Sequence, residues 1–203
     1  NVQLLPGKSY TITLKFELGI QLAASDINLT QNGCTASDKN YLAKLRWATG
    51  NLKSTGSTNY IWAPSQTETG YYYTWYSTYT GNKTTNNTDP CSKLNTAYYG
   101  TGWRTPSEND YIPLSRCTDK VLTNGGMWFM NKSIGIFLLA AGTIGNGGGS
   151  ATSNPNYSTA KTGQYWTSKK DGENRGISFT FNPSSTFMFS DYQATGIPVR
   201  CVK

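Results

Sequence analysis

The sequence predicts an α+β domain dominated by antiparallel sheet, on three observations. One helix is strongly signalled, around Glu108, and most other periodic segments read as short strands. Gly, Ser, Thr and Asn fill the spaces between them, which gives many turns and long loops. Aromatic residues make up 13% of the chain and charged residues only 14%, where about a quarter is typical. At 203 residues the chain is one domain, or one domain with an appendage, and long enough to bury a substantial core.

Taken in order, residues 4–8 (Leu-Leu-Pro-Gly-Lys) form a turn. Residues 9–18 then alternate, with Tyr10, Ile12, Leu14, Phe16 and Leu18 on one face of a half-buried strand. This strand stands apart, with no obvious pairing partner beside it in the chain. It is expected to close a preceding domain or to pair with another chain, so residues 1–24 are assigned to a terminal strand or linker and residues 25–203 to the main domain. The chain opens at Asn1 in mid-pattern, as a processed or trimmed product does.

Residues 19–40 are mixed and polar, ending in the turn signal Asn32-Gly33-Cys34-Thr35. Residues 41–48 read as a strand and residues 50–60 as a loop. Residues 61–62 and 70–76 are aromatic segments of strand character, with a helix start over residues 74–79 as the alternative, and residues 80–89 an exposed loop. Asp89 followed by Pro90 caps another short helix.

The central signal is Gly102-Trp103-Arg104-Thr105-Pro106-Ser107-Glu108-Asn109-Asp110. Thr105 reads as N-cap with Glu108 three residues on, and Pro106 falls at the first helical position. Asp110 suits the positive end of the helix dipole, Tyr111, Ile112 and Leu114 give an apolar face, and Pro113 stops or kinks the helix.

Beyond it, residues 117–124 read as a connector, and residues 126–131 and 134–142 as strands. Residues 143–163 form a Gly/Ser/Asn loop of a length that is usually functional. Residues 164–168 re-enter a strand, residues 169–175 turn, residues 177–181 and 186–189 alternate, and residues 197–203 close the domain.

The net charge is +7 and the pI about 9.2, but the basic residues are dispersed, with Lys169-Lys170 the one adjacent pair. No basic stripe or nucleic-acid motif appears, so nucleic acid is not expected as a partner. No apolar run is long enough to span a bilayer. The chain has no histidine, which removes Ser-His-Asp and Cys-His nucleophiles and weakens any case for zinc. The carboxylates Glu108, Asp110, Asp171, Glu173 and Asp191 are scattered, with no acid/base spacing. An even count of four cysteines (Cys34, Cys91, Cys117, Cys201) without a C-x-x-C pair points to two disulfides and an oxidising compartment, with three connectivities open.

Six segments occur in an order that carries a family likeness: Ala48-Thr49-Gly50-Asn51-Leu52, Asp89-Pro90-Cys91, Gly102 to Ser107, Phe137-Leu138-Leu139-Ala140-Ala141-Gly142, Tyr165-Trp166-Thr167-Ser168 and Val199-Arg200-Cys201-Val202-Lys203. Residues 41–203 resemble the major paralogous domain (FISUMP) family, a branch of the C-type-lectin-like fold related to formylglycine-generating enzymes. Leu5-Pro6-Gly7-Lys8-Ser9-Tyr10 is similar to the final strands of fimbrillin-type pilins of Bacteroidetes. The resemblance implies a C-type-lectin-like fold with one or two short helices, and bridges Cys91–Cys201 and Cys34–Cys117. It implies an extracellular protein of the cell surface, in the pilus or outer membrane. The expected role is a pilus tip or accessory subunit that binds a glycan or a host or bacterial surface protein and assembles with other pilin subunits. The alternatives are a structural pilus subunit using residues 9–18 for strand addition, or an enzyme related to the formylglycine-generating enzymes. The latter use two cysteines near the C-terminus where this chain has Cys201 alone, so no enzyme activity and no cofactor are expected.

Calcium wants about six to eight oxygens, usually including carboxylates. The loop sequence Ser153-Asn154-Pro155-Asn156 carries none beside its proline, and no Trp-Asn-Asp occurs, so no metal site is expected. Trp47, Trp103, Trp128 and Trp166 lie inside the family motifs and read as core, as does part of the run Tyr71, Tyr72, Tyr73, Trp75, Tyr76. In this fold the ligand surface is built from the long loop and the strands after it. That nominates Tyr157, Lys169, Asp171, Glu173, Asn174, Arg175 and Tyr192, whose plain alternative is ordinary loop polarity. The same fold hosts ligand-binding proteins diversified near their C-termini, and residues 169–192 suit that pattern.

Overall fold

A computed structural model describes residues 19–27, 29–30, 33–54, 59–78, 86–131, 134–144 and 161–203 of the chain. The strand expected at residues 9–18 lies outside the described residues.

The strongly signalled helix is present, but its start is displaced. Helix α3 spans Glu108–Cys117, and its cap is Ser107, not Thr105. The Asp110 carboxylate closes the capping box by accepting from the Ser107 N–H and, at 2.7 Å, from its hydroxyl. Thr105 is engaged elsewhere: its N–H and hydroxyl donate to the Asp89 carboxylate at 2.9 and 2.7 Å. The Pro106 carbonyl accepts from Ser168 N–H at 2.7 Å, so the chain stays extended for two more residues. Pro113 does not end the helix, which continues to Cys117 with Tyr111, Pro113, Leu114 and Cys117 buried. Tertiary packing of that face outweighs the one helical hydrogen bond the proline forgoes.

The expected strand over residues 41–48 is instead the end of helix α1, Ala36–Leu42, followed by irregular chain. Thr35 caps α1 and forms a reciprocal box with Asp38, each backbone N–H meeting the other's side chain at 3.1 Å. A four-residue helix α2, Thr96–Tyr99, follows a 3₁₀ turn at Pro90–Lys93. The Asp89 cap of that turn is as expected, accepting from Cys91 N–H at 2.9 Å.

Every named strand pairing among the described residues is antiparallel. Strands β1 (Leu52–Ser54) and β2 (Tyr60–Trp62) form a ribbon, with β1 inside the segment read as loop. Strand β3 keeps only Tyr72–Tyr73 of the aromatic run and pairs with β10, Ile197–Pro198. Strands β4 (Asp119–Thr123), β5 (Gly126–Asn131) and β6 (Ile134–Leu139) form a meander, so the expected connector over 117–124 is largely a strand. Strands β7 (Gly163–Asp171), β8 (Arg175–Phe181) and β9 (Thr186–Tyr192) form a second, in which the turn between β7 and β8 shrinks to residues 172–174. The class is α+β with mostly antiparallel sheet.

The meander β7–β8–β9 buries one face through Tyr165, Phe179, Phe181 and Met188, against Tyr111 of α3. Tyr111 and Phe179 stack at 4.5 Å, with their planes 4° apart. A second cluster gathers Trp62, Trp103, Trp166, Ile197 and the Cys91–Cys201 bridge. Trp47, Trp103 and Trp166 are core, as read from their motifs, whereas Trp128 is only partly buried. Tyr72, Tyr73 and Trp75 are buried, and Tyr71 and Tyr76 half-buried.

Both bridges, Cys34–Cys117 and Cys91–Cys201, have the connectivity that the resemblance implies. The last residues are held on two sides. Ala48 N–H donates to the Cys201 carbonyl and Leu52 N–H to that of Val199, while Arg104 and Val202 exchange two bonds of 2.9 Å. Arg200 is fully buried between these segments. Ile20 pairs with Trp47 and Leu22 is fully buried in the main core, so both belong to this packed body although they precede the expected division at residue 24. No helix among the described residues is long and apolar enough to cross a membrane.

Candidate functional site

Of the residues nominated from sequence, Tyr157 lies outside the described residues, as does the Ser153–Asn156 loop. The others fall at one end of the second meander, in two groups. Lys169 reaches away to Glu108 at the start of α3, its Nζ 2.7 Å from the carboxylate. Asp171 ends β7 opposite Arg175, and Glu173 and Asn174 form the exposed tip.

Arg175 folds back over the ring of Tyr192, 4.3 Å from its centroid, and donates to the Ser190 carbonyl at 3.0 Å. Gln193 ties this corner from below. Its N–H donates to Asn174 O at 2.9 Å, and its side-chain amide to the carbonyls of Arg175 and Glu173 at 3.1 and 3.4 Å. The tip is thus a braced corner whose cation is already paired with an aromatic face.

The more informative surface lies on β9 itself, the edge of the sheet order β7-β8-β9. Three of its seven residues are large, apolar-bodied and exposed: Phe187 (41%), Phe189 (48%) and Tyr192 (55%). Cross-strand partners share a face. Phe189 sits opposite Ser178, Phe187 opposite Thr180 and Asp191 opposite Gly176. Gln164 of β7 sits opposite Thr180. On this side of the sheet Ser178 and Thr180 are buried, with Trp166 of the second cluster opposite Ser178; Gln164 and Asp191 are half-buried at its margin, and the two phenyl rings are exposed along the edge.

The polar row is bonded internally. Ser178 Oγ donates to Asp191 Oδ2 at 2.6 Å, and Gln164 Nε2 donates to the same oxygen at 3.2 Å. The other oxygen, Oδ1, receives no hydrogen bond among the described residues. Burial pushes the Asp191 carboxyl above the ordinary value, against the Ser178 hydrogen bond and the Arg175 charge, which pull it down. One end of the face is closed by Trp75, which lies so near Gly176 that a Cβ there would fall 2.1 Å from the indole ring.

Sequence reasoning missed Phe187, Phe189, Asp191, Ser178 and Gln164 as a site. Phe187, Met188 and Phe189 are consecutive apolar residues, so period-two alternation does not say which parity points in. Met188 points into the core and the phenylalanines point out. The available signal was Asp191, which shares their parity.

Two grooves flank α3. One, of about 360 Å³, runs between α1 and α3 past Asp38, Tyr41 and Asn109. The other, of about 210 Å³, lies between α3 and β9 and is walled by Thr186, Phe187 and Met188. Ile112 and Arg116 line both. Among the described residues no group of three or more His, Cys, Asp or Glu side chains gathers to hold a metal ion. No protein-family model, curated protein or solved structure matches the chain.

Proposed function

We propose that this chain is a ligand-binding adhesion domain of the C-type-lectin-like class, working outside the cell as a pilus tip or accessory subunit. It holds a glycan or a surface protein along the exposed edge strand of its second meander. The observation that carries this reading is the concentration of exposed aromatic side chains on one edge strand, Phe187 and Phe189 on one side of it and Tyr192 on the other. Large apolar groups left in water on one strand mark an interaction surface. The α+β architecture, the two disulfides and the order of the sequence motifs support the class; the disulfides also suit an oxidising compartment. No catalytic step enters this reading, and the bracing of Arg175 and Asn174 suits a rigid, preformed surface.

The test is a screen of the purified chain on glycan and surface-protein arrays, with calcium and with EDTA. Phe187→Ala/Phe189→Ala is run alongside. Expected is binding indifferent to EDTA and at least tenfold weaker in the double variant, whose melting temperature stays within about 4 °C because both rings are exposed. Absence of binding on every array overturns the reading.

A further inference from the structure

We infer that the free edge of β9 takes an extended peptide segment of a partner protein as a fourth strand, with an apolar and an acidic residue two positions apart seated in the groove between β9 and α3. This rests on the proposed binding role of the same strand and names the partner's chemistry.

The ladder leaves every second residue of β9 open. Asn182 N–H donates to the Ser185 carbonyl and Gln193 N–H to that of Asn174, both at 2.9 Å, so the odd-numbered residues of β9 bond to β8. Antiparallel pairing alternates, so Thr186, Met188, Ser190 and Tyr192 turn their N–H and C=O groups outward. Two of these acceptors are taken: the Tyr192 carbonyl by Thr195 N–H at 2.9 Å and the Ser190 carbonyl by Arg175 at 3.0 Å. Both backbone groups of Thr186 and Met188, and the Ser190 N–H, have no partner among the described residues. Other sheet edges are protected. Along β6 the Gly135 carbonyl accepts from Gln66, Phe137 N–H donates to Gln66 while its carbonyl accepts from Arg200, and Leu139 N–H donates to the Tyr165 hydroxyl, all at 2.8–3.2 Å. Strand β4 opens with the exposed charges Asp119 and Lys120. Between Thr186 and Ser190, β9 has no charge, no proline and an unbroken register with β8. Natural sheets blunt an edge that is not used for pairing.

The groove beside this edge selects what the segment carries. It holds about 210 Å³, below the about 300–1,000 Å³ of a small-molecule pocket, so it suits side chains presented by a strand rather than a whole free ligand. Thr186 Oγ1 meets Ser115 Oγ at 2.6 Å, which sets α3 alongside the core-facing side of β9. A fourth strand sends alternate side chains into the groove, about 7 Å apart. Ile112 and Arg116 line it one helical turn apart, about 6 Å, so two successive inward positions meet one each. Ile112 is half-buried and suits an apolar side chain. Arg116 is exposed, is the one charged residue lining the groove, and has no hydrogen bond or ion pair among the described residues, so it suits a carboxylate. The other side chains of the segment lie beside Phe187 and Phe189, on the opposite side of the sheet. In this mode main-chain bonds give affinity and the seats for alternate side chains give specificity.

The experiment titrates the full chain with capped eight-residue peptides of one design, Thr-Val-Thr-Leu-Thr-X-Thr-Val, in which X is Glu, Gln or Lys. Calorimetry gives the affinity, and amide hydrogen exchange by NMR follows Thr186, Met188 and Ser190. Expected are fast exchange at these three amides in the free chain and at least tenfold slowing with saturating Glu peptide. The Lys peptide binds about two- to fivefold more weakly than the Glu peptide, the worth of an exposed ion pair, and Arg116→Glu reverses that order. N-methylation of alternate peptide residues abolishes binding in one phase and leaves it in the other, because only every second amide faces β9. Slow exchange at the three amides in the free chain, from its own residues or from a dimer seen in sedimentation, overturns the inference. So do equal losses in the two N-methylation phases, or equal affinity for the Glu and Lys peptides. Silence toward the peptides, with array binding that falls in Phe187→Ala/Phe189→Ala, overturns the inference alone and leaves a binding domain standing. Silence toward the peptides and on every array removes both.

Discussion

Asp110 shows how one side chain serves a helix, a loop and a neighbouring helix together. It is fully buried, yet it accepts two bonds from the Arg104 guanidinium at 2.6 and 2.8 Å, one from Tyr41 at 2.9 Å, and the Ser107 cap. Burial raises its pKa, but the hydrogen bonds from Arg104 and Ser107 together outweigh burial and hold the carboxyl below its ordinary value. A depressed folded-state pKa contributes stability that is present above the unfolded value, about 3.9, and is lost as pH falls through the folded one. Acid unfolding is therefore expected to steepen below about pH 4. Asp110→Asn removes that dependence and costs about 3 kcal/mol, the low end for a broken buried pair because the Arg104 side chain is 40% exposed. Denaturant melts from pH 3 to 7 check both; a variant with the wild-type pH slope sinks the assignment. Asp191 has the opposite sign. Its raised pKa, set by burial, contributes stability below the unfolded value that is lost as pH rises through the folded one.

Among the elements, the extended link into α3 depends on Asp89, which caps the turn at Pro90–Lys93 and also holds Thr105. Asp89→Ala leaves the buried Thr105 N–H without its acceptor and removes an N-cap, together roughly 3 kcal/mol. That corresponds to a fall of about 6–12 °C in melting temperature by calorimetry for a domain of this size. Asp89→Asn, which still accepts, is expected to lose about half as much; equal losses in the two variants contradict the account. Asp89-Pro90 was legible in sequence because a cap and an N1 proline are local signals. The true cap of α3 was not, since nothing in residues 105–110 announces that Thr105 is held by a carboxylate sixteen positions away. Helix α1 was hidden for a related reason. Its Thr35–Asp38 box abuts the Asn32-Gly33 turn signal, and the apolar residues Leu42, Leu45 and Trp47 imitate a strand while packing from helix and irregular chain alike. The outer face of β9 was the least legible part. Its polar row joins Gln164, Ser178 and Asp191 only through the register of three strands, and spacing along the chain does not encode register.

At the scale of the molecule, two staples close long loops over different parts of the core. Cys34–Cys117 spans 83 residues and ties the start of α1 to the end of α3; Cys91–Cys201 spans 110 and sits inside the second aromatic cluster. Closing a loop of about 100 residues is worth roughly 4–5 kcal/mol in the chain-entropy account, with 2–5 typical when a native bridge is removed. The two are not equally accessible. Cys34 keeps 8% of its surface in water, whereas Cys91 and Cys201 keep none. Around Cys91–Cys201 the chain is also held by the Arg104–Val202 pair, and nearby Arg200 donates to Asn51 Oδ1, Ala48 O and Phe137 O at 2.9–3.0 Å. Opening there requires the closing segment to leave its slot, whereas opening at Cys34 requires only the turn before α1 to move. Brief treatment of the folded chain with dithiothreitol, then alkylation and peptide mapping, is expected to label Cys34 and Cys117 well before Cys91 and Cys201. The Cys34→Ser/Cys117→Ser variant should stay folded and melt about 4–20 °C lower. Simultaneous labelling of all four would mean that both staples open only when the whole domain unfolds. Preferential labelling of Cys91 and Cys201 would mean that the C-terminal segment, not the α1 turn, is the loose end of the fold.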